Sequence, residues 1–149
     1  MTITEYIKSL RTRGQDSHGA GWFGAPRSHR IHNGVDLIVE TGTQVKSFTI
    51  GKVTKIGYPY SPADPVKGHL RYVEICFDGT AFRYFYISPL VKVGDNITPG
   101  MSIGYSQDLT TIYPGITQHF HFEIRKPDGS YVDPSMSFPD LGTDTLAPE

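Results

Sequence analysis

His119 and His121 stand two apart in the string His119-Phe120-His121-Phe122-Glu123-Ile124. On an extended strand side chains alternate faces, so even spacings land on one face. His119, His121 and Glu123 then share one face, and Phe120, Phe122 and Ile124 share the other. A second string, His32-Asn33-Gly34-Val35-Asp36, offers a His and an Asp four residues apart. A lone His on a strand usually serves structure, but two on one face opposite an apolar face are less easily dismissed. The second string alone is weak, because His and Asp four apart occur often by chance. Together the two strings supply His, His and Asp, a donor set for a divalent metal, and zinc is the usual occupant of such nitrogen and oxygen sites. Three protein donors leave a fourth position for water, the catalytic rather than the structural arrangement. Zinc with a single carboxylate also keeps a net positive charge, which favours a developing oxyanion.

These side chains need a rigid frame, and the composition indicates its class. With 149 residues one domain is expected, large enough to bury a core without staples. Gly 16, Pro 11, Phe 8 and Tyr 9 favour a turn-rich, mainly β protein. The formal net charge of -1 argues against nucleic acid or anionic membrane as a partner held by bulk charge. Cys76 is the sole cysteine, so no intramolecular disulfide is possible, and it reads as a small buried hydrophobe. No apolar run approaches the roughly 20 residues of a membrane span. The first residues lack the apolar centre of a Sec signal, so synthesis in the cytoplasm and delivery by another route are expected.

The pattern predicts a helix over residues 2–13. Thr2 and Glu5 form its capping box, and Ile3, Tyr6, Ile7 and Leu10 its apolar stripe. Residues 14–24 read as loop. Strands are predicted over 34–39, which carries Asp36, and in 43–56 on either side of Ile50-Gly51. Residues 58–68 hold three prolines and read as a long loop. Residues 69–77 and 82–88 form a hairpin across Asp78-Gly79. Further strands are expected at 102–106 and 118–124, with an irregular tail over 133–149.

The two metal-type strings resemble the marks of the lysostaphin-type zinc metallopeptidases, H-x-G-x-D near the start and H-x-H-F-E near the end. Gly42-Thr-Gln-Val45, Ile50-Gly-Lys-Val53, Val91-Lys-Val-Gly-Asp95 and Ile103-Gly-Tyr-Ser106 resemble the family's connecting segments in the same order. The resemblance spans about residues 20–133, which divides the chain into an N-terminal helix and loop (1–19), a zinc peptidase-like domain (20–133) and an irregular tail (134–149). It implies a compact antiparallel β-sheet or sandwich with a groove over the metal. It implies His32, Asp36 and His121 as zinc ligands. It implies His119 as a non-ligating catalytic His that polarises water or stabilises the tetrahedral intermediate. The implied substrates are the stem peptides or cross-bridges of bacterial peptidoglycan, in the periplasm or cell wall. A disulfide-free domain without a Sec signal suits a phage, tail or injection apparatus, whose proteins would then be partners.

One departure stands out. The family carries a further catalytic His in a Tyr-x-His-Leu string, and here Tyr86-Ile87-Ser88-Pro89-Leu90 places Ser88 where that His is expected. A hydroxyl cannot carry a proton as imidazole does. This string and Tyr113-Pro114-Gly115-Ile116 also resemble the leukocyte-derived chemotaxin branch, which keeps the zinc ligands without enzymatic activity. If Phe77 pairs with Phe82, Ser88 faces Arg71, and His69 lies two residues along on the same face as a replacement catalytic residue. Tyr86, Tyr105 and Tyr113 could donate to an oxyanion, and Tyr86, Ser88 and Tyr113 are the candidate substrate contacts. His18 and His29 read as exposed, with His29 near the groove, and Arg27 and Arg30 could hold a substrate carboxylate. Three readings follow: a zinc endopeptidase, a zinc-stabilised binding module without catalysis, and a metal-free structural piece of an assembly.

Overall fold

Alternating apolar residues pair the chain into two antiparallel sheets in the computed structural model, which describes residues 2–27 and 31–141. In chain order the elements are α1 (Ile3–Ser9), β1 (Val35–Ile38), β2 (Gln44–Lys46), β3 (Gly51–Gly57), β4 (Tyr72–Phe77) and β5 (Thr80–Phe85). There follow β6 (Ile87–Pro89), β7 (Asn96–Ile97), β8 (Ser102–Ser106), β9 (His119–Arg125), β10 (Tyr131–Val132) and α2 (Pro134–Ser137). The larger sheet runs β1-β9-β5-β4-β3-β7, with β10 also on β9, and the smaller runs β2-β8-β6. The class is mainly β, as the composition indicates.

The core lies behind the strands that carry the metal-type residues. Phe120, Phe122 and Ile124 of β9 point into it, as do Phe82 and Tyr84 of β5 and Val35 and Leu37 of β1. Phe48 packs edge-on to Phe122 at 4.6 Å and to Tyr84 at 5.4 Å. Its backbone N–H donates to the Tyr84 hydroxyl at 2.9 Å, which satisfies a fully buried phenol. One face of β9 is thus anchored by aromatic packing, and its other face is held rigid by the same backbone.

Several elements differ from their sequence reading for local reasons. The capping box of Thr2 and Glu5 forms, but α1 stops at Ser9, because Leu10 turns extended (φ -78, ψ 139). Residues 11–13 then run beside β1, with Thr12 bridged to Leu37. The hairpin forms, with Phe77 opposite Thr80 rather than Phe82. Asp78 and Gly79 both adopt left-handed backbone (φ 51 and 81), which closes a two-residue loop and tightens the register by two. Cys76 is half-buried beside Thr54, whose hydroxyl lies 3.2 Å from its sulfur, so it is not a core residue. The segments on either side of 20–133 pack onto it: Tyr6, Ile7, Leu10, Phe138 and Leu141 join the same core. The rest of the expected tail, 142–149, lies outside the described residues.

Gly34 shows how the frame sets the site. A Cβ there would strike the Phe122 carbonyl and come within 2.9 Å of the Glu123 Cβ. Gly34→Ala is expected to push β1 away from β9 and cost about 1–3 kcal/mol, the usual range for overpacking. A lowered Tm by circular dichroism checks this, and an unchanged Tm contradicts it.

Candidate metal centre

Strand register brings the two strings together. Asp36 on β1 lies directly opposite His121 on β9, and Phe85 on β5 flanks His121 from the other side. His32 arrives from the loop before β1, where its N–H donates to the Ala25 carbonyl at 2.8 Å and its carbonyl accepts from Gly24 at 2.9 Å. His32 Nε2 lies 3.0 Å from His121 Nδ1 and 3.1 Å from Asp36 Oδ1. His121 Nδ1 lies 3.0 Å from the same Oδ1. Three donor atoms therefore form a nearly equilateral triangle.

Their hydrogen-bond partners fix the chemistry of that triangle. His32 Nδ1 is 3.0 Å from the Trp22 carbonyl, an acceptor, so this nitrogen carries the proton. His121 Nε2 is 2.8 Å from Glu123 Oε1 and likewise donates outward. With those protons held outward, a metal would meet the inward nitrogen of each ring together with one carboxylate oxygen. Such an arrangement needs a positive charge at its centre, either a proton or a metal. A tetrahedral zinc with bonds of about 2.0–2.1 Å spaces its donors by about 3.3 Å, so the three need spread only slightly. The donor set and its outer partners fit a divalent ion of that kind.

The electrostatics agree. Burial alone would raise the Asp36 carboxyl, but hydrogen bonds from His121 and His32 and the charges of the nearby imidazoles hold it well below the usual range. Burial pulls His121 down, yet hydrogen bonds to Asp36 and Glu123 outweigh it and push the metal-free ring up to about 9. Glu123 is in turn gripped by Arg83 (3.3 Å), which also binds Glu74 at 2.7 Å. The second oxygen of Asp36, Oδ2, accepts from Arg13 Nε at 3.1 Å and Nη2 at 3.0 Å.

His119 sits beside the triangle and outside it. Its Nδ1 donates to the Thr117 carbonyl at 2.7 Å, and its Nε2 lies 3.5 Å from Asp36 Oδ2. Burial lowers its pKa, so the ring stays neutral near pH 7 with Nε2 able to take a proton. These groups line a cleft of about 500 Å³, together with His18, Arg27, Tyr60, Tyr86 and Tyr113.

The model of peptidase family M23 matches residues 30–134. The chain belongs to this family. Leukocyte cell-derived chemotaxin-2 of Bos taurus is 32% identical over 108 residues, covering 72% of this chain and 69% of that protein. Among solved structures, LytU is 26% identical with a TM-score of 0.64, covering 85% of this chain and 88% of its own. The antimicrobial peptidase lysostaphin from Staphylococcus simulans gives a TM-score of 0.65 at 23% identity and shares the fold. The alignment covers 95% of this chain and 54% of lysostaphin, so the chain spans about half of that protein's length.

Within the M23 frame the structure corrects the reading of the departed His. Ser88 is exposed on β6 in the smaller sheet, opposite Tyr105. The chain leaves β5 at Tyr86, where left-handed backbone (φ 71) turns it out of the larger sheet. Non-glycine residues pay for that conformation with about 1–3 kcal/mol, and such strain gathers at functional sites. The turn aims the Tyr86 ring edge-on at His119, with centroids 5.9 Å apart. Tyr86 rather than Ser88 is therefore the residue of this string that lines the cleft. Burial and the neighbouring Tyr60 push its phenol well above the ordinary value, so it remains a neutral donor.

His69 does not reach this cluster. It is exposed at the end of the Pro-rich loop, because the chain turns away at Tyr86 before any strand can face it. Tyr113 lies at the cleft rim, with its hydroxyl 3.2 Å from that of Tyr60. Tyr105 is exposed on β8, away from the cleft lining. His18 is at the rim too, its Nε2 2.8 Å from the Pro114 carbonyl, while His29 and Arg30 lie outside the described residues. Sequence reasoning missed Arg13, Arg83 and Tyr60. For Arg83 the signal was available, since it shares a face of β5 with Phe85 and follows the Asp78-Gly79 turn at a countable distance. No helix among the described residues is long and apolar enough to cross a membrane.

Proposed function

We propose that this domain is a zinc endopeptidase that cleaves peptide cross-links of bacterial peptidoglycan in the periplasm or cell wall. The observation that carries the reading is the triangle of His32 Nε2, Asp36 Oδ1 and His121 Nδ1, with neutral His119 beside it. Bound there, zinc would polarise a peptide carbonyl and make water a usable nucleophile near neutral pH. His119 Nε2 takes the proton of the attacking water, and the negative charge of Asp36 stabilises the imidazolium. Water oxygen bonds to the carbonyl carbon, the C–N bond breaks, and the proton passes from His119 to the departing amine. Tyr86, neutral and aimed into the cleft, donates its hydroxyl to the developing oxyanion. Tyr60 and Tyr113 form the adjoining wall, where Lys67 lies over both rings at 5.0 and 5.3 Å.

Zinc-loaded protein incubated with purified sacculi is expected to release new amino groups, and His121→Ala is expected to release none. Equal release by both proteins would sink the reading. A second reading has its own observation: the ring edge-on to His119 is the phenol of Tyr86, which cannot exchange protons near pH 7 as an imidazole does. On that reading the domain binds zinc and wall peptides without cutting them. Bound sacculi with no new amino groups, seen on walls of two chemistries, would decide for it.

A further inference from the structure

We propose that Arg13 is a positioning residue that confines Asp36 to binding the metal through Oδ1 alone; this rests on the zinc reading above. Arg13 lies outside the matched residues 30–134, yet it is 2% exposed and touches the centre of the site. Its Nε and Nη2 both close on Asp36 Oδ2, at 3.1 and 3.0 Å. Its remaining nitrogen, Nη1, binds Asp16 Oδ2 at 2.8 Å and the Gly19 carbonyl at 2.9 Å. Every arm of the guanidinium is thereby occupied. The other groups near Oδ2 stand farther off, His119 Nε2 at 3.5 Å and Arg27 Nη2 at 3.9 Å.

The backbone fixes this grip. Arg13 N–H donates to the Asp36 carbonyl at 2.7 Å, Gly21 N–H to the Arg13 carbonyl at 3.0 Å, and Asp36 N–H to the Gly21 carbonyl at 2.8 Å. Gly21 is wedged between the two residues: a Cβ there would lie 2.5 Å from the Arg13 Cβ and 3.0 Å from the Asp36 Cβ. Asp16 extends the brace to the far side of the site, accepting from Thr117 N–H at 2.8 Å, and the Thr117 carbonyl holds His119.

The consequence concerns coordination number. A carboxylate can bind a metal through one oxygen or two. For Oδ2 to swing inward it would have to leave Arg13 Nε and Nη2 without their acceptor, since Asp16 and Gly19 engage only Nη1, and unmet buried donors are costly. Asp36 therefore offers one oxygen, the protein offers three donors, and one position stays open for water. A purely structural Arg13 would tie residues 11–21 to β1 without affecting that number.

Cobalt(II) in place of zinc separates these cases, since its visible bands are strong when four-coordinate and weaken as coordination rises. Wild-type protein is expected to show strong bands. Arg13→Gln is expected to bind cobalt stoichiometrically with bands weakened several-fold, and Arg13→Lys, which restores a cation at Oδ2, to recover them in part. An unchanged spectrum in Arg13→Gln overturns the inference while leaving the metal site standing. Failure of the wild type to take up cobalt overturns the zinc reading, and this inference with it. If Arg13→Gln does not fold, X-ray absorption of zinc-loaded wild type decides. Four light neighbours near about 2.0–2.1 Å support single-oxygen binding, and five or more overturn it.

Discussion

Asp36→Asn is expected to abolish stoichiometric zinc binding and to destabilise the metal-free fold by about 3–5 kcal/mol, the cost of breaking a buried ion pair from one side. The two losses have different origins on one carboxylate. Oδ1 faces His32 and His121, so the amide removes the anionic donor of the triangle. Oδ2 faces Arg13, whose Nε and Nη2 lose their charged acceptor while Asp16 still pairs Nη1. Against a typical total of about 5–15 kcal/mol, a loss of this size is a large fraction of stability. Urea denaturation in the presence of chelator measures the second effect, and metal analysis of dialysed protein the first. A variant that retains one zinc per chain would refute the ligand assignment. A variant that loses zinc but keeps its urea midpoint would refute the account of Arg13.

Zinc affinity is expected to rise about tenfold per pH unit between pH 7 and 9, and to level off above that range. The metal-free His121 titrates at about 9, held up by Asp36 and Glu123 against the effect of burial. Below that value zinc must displace its proton, one per ion bound. The same shift has a stability counterpart with a definite sign. A raised folded-state pKa stabilises the charged form, so its contribution is fully present below the unfolded value of about 6.5 and disappears as pH rises through about 9. Metal-free protein should therefore melt at lower temperature at pH 9 than at pH 6.5, and added zinc should remove most of the difference. Chelator-buffered titrations at several pH values check the slope. A flat profile would mean that no proton is displaced from His121.

The strands that carry the site were legible because their signals are local. Alternation alone assigns His119, His121 and Glu123 to one face of β9 and the phenylalanines to the other, as the buried core bears out. The Asp78-Gly79 hairpin was legible as a turn, but its register depends on the two residues' backbone angles, and the two-residue error carried through to Ser88 and His69. Ser88 was misplaced because the left-handed backbone of Tyr86, itself among the expected oxyanion donors, has no composition cue. Arg13 was missed for another reason. Residues 11–13 pair with β1 some two dozen positions later, and a helix-like apolar stripe ending at Leu10 gives no sign of that partner. Local periodicity reports which face a residue takes; it does not report which distant strand will lie beside it.

Strand β9 is at once a floor of the cleft and a wall of the core, and the two roles occupy alternate residues. One inserted or deleted residue would exchange them, sending His119 and His121 toward Phe48 and two phenylalanines into the cleft. A single-residue length change in this segment is therefore expected to cost both the core and the site at once. Variation in substrate preference has to come from elsewhere. The loops over residues 58–68 and 109–117 bring Tyr60, Leu109, Tyr113 and Ile116 to the rim without sharing a strand with the core. They are where this domain can change what it accepts while keeping how it folds.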